Sequence, residues 1–335
     1  MRCLSVIAGL LWVSPLAAQG PYVLEKTLPM AGDTGWDYCL ADGAAGRVFL
    51  SRGDHVDVLD IKKGAVVAAI SGTAGVHGVA LAPDLGKGFI SCGKSGTVRI
   101  FDLAGLVPGP ELKAGENPDA IVYEPKTRRV FAFNGKSRDV TAIDAVSQRV
   151  IGTTPLECKP EFAAVDGSGK VYFNREDKDS IGVLDAASLK VTAVWPLKAK
   201  RPSGLAIDPT GGHLFSVCDG GKMEIVDTAD GAVIAEAPIG ERPDAAAFDP
   251  GTGWAFSSNG AGSLTVIDAR APGFPVLQEL KTRQGARTLS LDTLTHTVYL
   301  LTAEFLPVPK GGEGSEGHHP RLKPGSVVLL VAERH

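Results

Sequence analysis

Four carboxylates (Asp37, Asp119, Glu161, Asp244), three guanidiniums (Arg201, Arg242, Arg287), one imidazole (His77) and one indole (Trp36) sit at corresponding places along this chain. Together they could bind a charged ligand, exchange protons or stack on a ring. Three other stretches offer chemistry by motif. Gly88 to Ser95 (GFISCGKS) fits the phosphate-loop pattern, but its middle residues form an apolar strand and another strand, TVRIFD, follows. A phosphate loop needs a helix there, whose first N–H groups hold the anion. GEGSEG (Gly312 to Gly317) fits GxGxxG without a strand before it or a helix after it, so it reads as a loop. His318 and His319 beside Glu316 offer metal donors, but adjacent side chains rarely converge on one tetrahedral site. The spacing yields no metal-ligand set and no nucleophile–base pair. No metal, no cofactor and no catalytic residue is therefore expected.

The elements that position the first group follow from a repeat. Arg201 to Gly240 contains four short runs, Gly204 to Asp208, His213 to Val217, Lys222 to Asp227 and Ala232 to Ile239. Turn residues separate them: PTGG, then DGG, then DG. Such runs read as four antiparallel strands. The Asp that ends the third run recurs as Asp60, Asp102, Asp144, Asp185, Asp227 and Asp268, at steps of 42, 42, 41, 42 and 41 residues. Its carboxylate can accept from backbone N–H groups just beyond it and set the next turn. A seventh copy begins near Gly285, with Thr297 to Leu301 and Ser326 to Val331 as its second and third strands.

A period near 40 with four strands per unit predicts an all-β fold, a seven-bladed β-propeller of four-stranded antiparallel blades. The first strands (GLAID, AAAFD, GVALA, AIVYE, FAAVD) are small, as strands converging on an axis should be. The second strands (RVFLS, KGFIS, RVFAF, KVYFN, HLFSV, WAFSS, TVYLL) carry rings to fill the space between blades. The last unit lacks a fourth strand, and Val23 to Leu28 is spare. Closure by the N-terminal strand completing the last blade would remove both open edges.

Repeat strands of this form, RVFAFNGKSRDVTAIDAVSQRVIGT (Arg129 to Thr153) and WAFSSNGAGSLTVID (Trp254 to Asp268), resemble the YVTN-repeat, YncE-like family of exported seven-bladed propellers. The resemblance runs over residues 22–335 and implies a periplasmic binding or scaffold protein.

Residues 1–18 read as a signal peptide: Arg2, the apolar run Leu4 to Val13, then small residues ending at Ala18. Residues 19–335 form one propeller domain, with a long loop at 303–325 in blade 7. The expected location is periplasmic or secreted, the expected state a monomer without a membrane span. A formal charge of −4 does not suggest a nucleic-acid binder. Cys39, Cys92, Cys158 and Cys218 show no CxxC spacing and read as buried free thiols.

In a propeller, the loops leading into each first strand line one funnel mouth, which gathers the nine residues named at the outset. Arg52, His55, Lys94, Arg138, Arg175 and Lys222 add charge from the loops between second and third strands. The reading is a binding or scaffold protein taking an envelope protein partner or a small-molecule ligand at this mouth. Two alternatives stand beside it. A lactonase-like or sugar-acid enzyme would use His77 or Asp244 to activate water and Arg201 or Arg242 to hold an oxyanion. A single-stranded DNA binder would stack bases on Trp36.

Overall fold

The structure, a computed structural model, describes residues 20–306 and 321–335. The signal peptide, GEGSEG and His318–His319 lie outside the described residues. Seven four-stranded antiparallel sheets carry the chain, as the repeat predicts. Six of them take their strands in chain order. The unit at Arg201 to Gly240 folds as Lys200–Asp208, His213–Asp219, Lys222–Asp227 and Val233–Pro238. The innermost strands of neighbouring blades pack on one another all the way round, closing the ring.

The seventh sheet is composite. Leu289–Asp292, Thr297–Thr302 and Val328–Arg334 are joined by the N-terminal strand Tyr22–Pro29, which pairs antiparallel with the last strand of the chain from Tyr22↔Arg334 to Pro29↔Val328. The third strand of this blade starts two residues later than the sequence indicates, because Ser326 is held in the preceding turn by its bond to Lys323 O (2.6 Å). Gln278 of blade 6 clamps the closing strand, accepting from Tyr22 N (2.8 Å) and donating to Tyr22 O (2.7 Å). The Tyr22 ring, fully buried, meets Phe256 edge-on, and its hydroxyl donates to His296 O at 2.6 Å.

No single core holds the molecule. Seven apolar clusters form, each a wedge between two adjacent blades. Second-strand rings fill them: Phe49, Phe89, Phe131, Phe173, Phe215 and Phe256 are wholly buried. Each such ring contributes roughly 1.5–3 kcal/mol by leaving water. The repeated Asp works as expected. Asp60, Asp144, Asp185, Asp227 and Asp268 accept from backbone N–H groups two or three residues on, at 2.6 to 2.9 Å.

Small residues on the inner strands have the predicted steric cause. A Cβ on Gly204 would lie 2.7 Å from backbone atoms of Ala245 in the next blade. The GKS stretch is strand Lys87–Cys92, a turn, and strand Thr97–Asp102, so no helix follows it. Cys39, Cys92, Cys158 and Cys218 are buried and unpaired. Among the described residues no helix is long and apolar enough to cross a membrane.

Candidate functional site: a ring of unlike side chains at the propeller mouth

The first residues of the inner strands converge on the axis. One position per blade faces it: Asp37, His77, Asp119, Glu161, Ser203, Asp244 and Arg287. The repeat puts them there, but each blade supplies a different group. The four carboxylates and His77 have side chains only 18–26% exposed, reachable from solvent yet close enough to interact strongly.

His77 links two blades. Its Nδ1 contacts Asp37 Oδ2 and lies 3.7 Å from Asp119 Oδ1. The Asn117 side chain stands on the Nε2 side of the ring: Nε2 and Asn117 Oδ1 both crowd the space in front of Gly93. A Cβ there would lie 2.5 Å from Nε2, so a glycine is needed at this point. Arg287 bridges the other arc, with Nη2 3.8 Å from Asp37 Oδ1 and Nε 3.5 Å from Asp244 Oδ2. Lys159 Nζ sits 2.7 Å from Glu161 Oε1 and also contacts Glu176.

These contacts set the protonation of the mouth. Burial pushes Asp244 up to about 6, although Arg287 opposes it. Burial and the charge of Asp119 push Glu161 up to about 7. Asp119 is raised by burial, against the pull of His77. Burial pulls His77 down, but Asp37 and Asp119 more than offset it, and the imidazole is raised to about 9. Four carboxylates face three cations, His77, Lys159 and Arg287, so the carboxylates outnumber the cations once Glu161 and Asp244 have lost their protons. Beneath the ring, Tyr38 packs at a tilt on Phe162 with centroids 4.7 Å apart. Both rings line a cavity of about 300 Å³ in the channel, otherwise mostly apolar.

Six of the nine residues named from sequence thus meet at the mouth: Asp37, His77, Asp119, Glu161, Asp244 and Arg287. The other three point elsewhere. Arg201, two-thirds exposed, pairs with Glu176 at 2.8 Å and Asp219 at 3.3 Å. Arg242 donates to Gly260 O at 2.9 Å. Trp36 packs toward Phe305, centroids 6.3 Å apart, at the foot of the long blade-7 loop. That foot is closed by a bridge between Phe305 and Leu322 and by Gly325 N donating to Asp33 at 2.6 Å. Arg52, counted as a loop charge from sequence, is wholly buried and donates to Ala31, Gly32 and Thr34 carbonyls. It holds the segment that carries Trp36 and Asp37. Sequence reasoning missed Tyr38, Asn117 and Lys159 as mouth residues. The one legible signal was Tyr38, a large side chain where four of the other six blades place Gly78, Ala120, Gly204 and Ala245 and blade 4 places Phe162.

Ring, wedges and composite last blade define a seven-bladed β-propeller with an acidic funnel mouth. The chain is similar to YncE. It is 28% identical over 154 residues to the uncharacterized protein YncE of Escherichia coli O157:H7 and 27% identical over 154 residues to that of Escherichia coli strain K12. Each match spans 42% of this chain and 44% of the relative, so the similarity covers less than half of either protein. No family model matches the chain. Among solved structures, the WD40 repeats of RRP9 superpose with a TM-score of 0.78 at 10% identity, covering 95% of this chain and 99% of that one. U3-55K gives 0.76 at 11% identity, covering 91% and 97%. A chain of Kuenenia stuttgartiensis hydrazine synthase gives 0.68 at 15% identity, covering 87% and 96%. At such identities the likeness is one of fold.

Proposed function

We propose that this chain is an exported, non-enzymatic binding propeller whose mouth receives a positively charged group, from an envelope protein partner or a small cationic ligand. One observation carries the reading. The position that lines the axis holds seven side chains of five types, whereas the wedge positions repeat the same apolar chemistry. Rigid blades hold the ring in place, and loops on a rigid scaffold commonly carry function. The excess of carboxylate favours a cation over a phosphate backbone, which argues against single-stranded DNA. Arg201 and Arg242, the oxyanion donors of the lactonase reading, pair with Glu176 and Gly260 O, which gives that reading no support there. The N-terminal sequence supports export.

A thermal-shift screen tests the reading with polyamines, basic peptides and a short oligonucleotide. A cationic ligand at about 100 times its Kd should stabilise the fold by roughly 2.7 kcal/mol. That gain should vanish in Asp119→Asn and Asp244→Asn. A shift with the oligonucleotide alone, or turnover of a lactone panel, would overturn it.

A further inference from the structure

Asp37, His77 and Asp119 occupy the same repeat position in three successive blades, and one ligand atom from each lies within 4.8 Å of the others. We propose that these three side chains form a binding site for a divalent transition-metal ion, with Zn²⁺ the best match and a further coordination position open to the mouth. The proposal deepens the reading of the mouth as a binding surface and rests on it.

The geometry is close to what an ion requires. Tetrahedral zinc with ligands at ~2.0–2.2 Å keeps neighbouring donor atoms ~3.3–3.6 Å apart. His77 Nδ1 and Asp119 Oδ1 are already at 3.7 Å. Asp37 Oδ2 has only to move outward from its contact with Nδ1, and its other oxygen, Oδ1, is the one facing Arg287. His77 and Asp119 stand on the inner strands Val76–Ala82 and Pro118–Glu124, and Asp37 on the segment just before Cys39–Asp42 that Arg52 holds in place.

The outer partner suits the same task. A ligating imidazole usually gives its other N–H to a carbonyl or carboxylate, which fixes the tautomer and aims the free nitrogen at the ion. Here Asn117 Oδ1 stands on the Nε2 side of the ring, positioned to take that N–H, while Nδ1 faces Asp37 and Asp119. One imidazole and two carboxylates form a borderline donor set, which favours zinc or manganese over magnesium or calcium. The ion would displace the His77 proton to solvent, and two carboxylates with the then neutral imidazole balance a dication. Individual blades do not reveal such a site, because each supplies one ligand and the three lie about 40 residues apart in the chain.

Isothermal titration of EDTA-stripped mature protein with ZnCl₂, MnCl₂ and MgCl₂ tests the site, with Co²⁺ spectra as a second readout. The expected result is one Zn²⁺ per chain, weaker Mn²⁺ and little Mg²⁺. Asn117→Ala should weaken Zn²⁺ by roughly 10–100-fold. His77→Ala and Asp119→Asn, checked for native circular dichroism, should lose it altogether. Co²⁺ should give visible bands of a nitrogen–oxygen site that disappear in His77→Ala. No stoichiometric uptake by the wild type would overturn the site. Uptake that survives His77→Ala, for instance on His318–His319, would overturn it too. Protein that takes no Zn²⁺ but still binds a cationic ligand through Asp244 sinks the ion site and keeps the binding mouth. Protein that does neither sinks both.

Discussion

The wedges between blades and the ring at the mouth are built from the same repeat, yet they treat it in opposite ways. In the wedges, Phe49, Phe89, Phe131, Phe173, Phe215 and Phe256 repeat one solution to one packing problem. At the mouth, Asp37, His77, Asp119, Glu161, Ser203, Asp244 and Arg287 share a backbone position and almost nothing else. A packed interface constrains side-chain volume, so one residue type recurs. The axis is wide enough at its end to leave type free, and diversity collects where the fold does not dictate it.

The sharpest way to break the contrast is to damage a wedge and the ring in parallel. Phe256→Ala should cost about 3–5 kcal/mol in urea unfolding. Tyr22→Ala should cost about as much, and hydrogen exchange should show the closing strand opening together with Val328–Arg334. Asp119→Asn at the mouth should change stability by less than about 1 kcal/mol while abolishing ligand effects there. Comparable losses in all three would remove the distinction between wedge and ring.

Axial packing gives a next, smaller effect. Gly204→Val forces a side chain against the Ala245 backbone and should cost roughly 1–3 kcal/mol. The turn aspartates follow. Asp144→Ala removes acceptors for the Ser147 N–H and hydroxyl and should cost about 0.5–1.5 kcal/mol, read by the same urea titration.

The finest test is pH, because the two regions carry carboxylates shifted in opposite directions. At the mouth, burial raises Asp244 to about 6 and Glu161 to about 7. Unfolded, both lose their protons near pH 4. In between, the folded state holds more protons, so this contribution to stability falls as pH rises from about 4 to 7. Glu161→Gln should flatten that fall without lowering stability at pH 8. Turn residues Asp144 and Asp185 are lowered by bonds from Ser147 and Ser188, so their contribution is present at neutral pH and lost in acid. Unfolding free energies at pH 3, 5 and 8 separate the two sets. A Glu161→Gln profile that follows the wild type would disprove the buried-mouth assignment.

Much of this molecule was legible in advance. The 41–42-residue step of the aspartates placed every blade, the missing fourth strand of the last unit implied the closing strand, and the same register named six residues that meet at the mouth. Side-chain direction was not legible. Arg201 lies at the start of its inner strand and Arg242 just before its own, but the φ of each is positive, and their side chains find Glu176 and a backbone carbonyl instead of the axis. Trp36 breaks the repeat pattern because it packs toward Phe305.

A periodic sequence determines by itself where each residue sits on the ring, because a fixed step in the chain is a fixed rotation about the axis. Which neighbours then touch is decided by tertiary structure alone. Asp37, His77 and Asp119 come from three different blades, and only closure of the ring brings their donor atoms within reach of one ion.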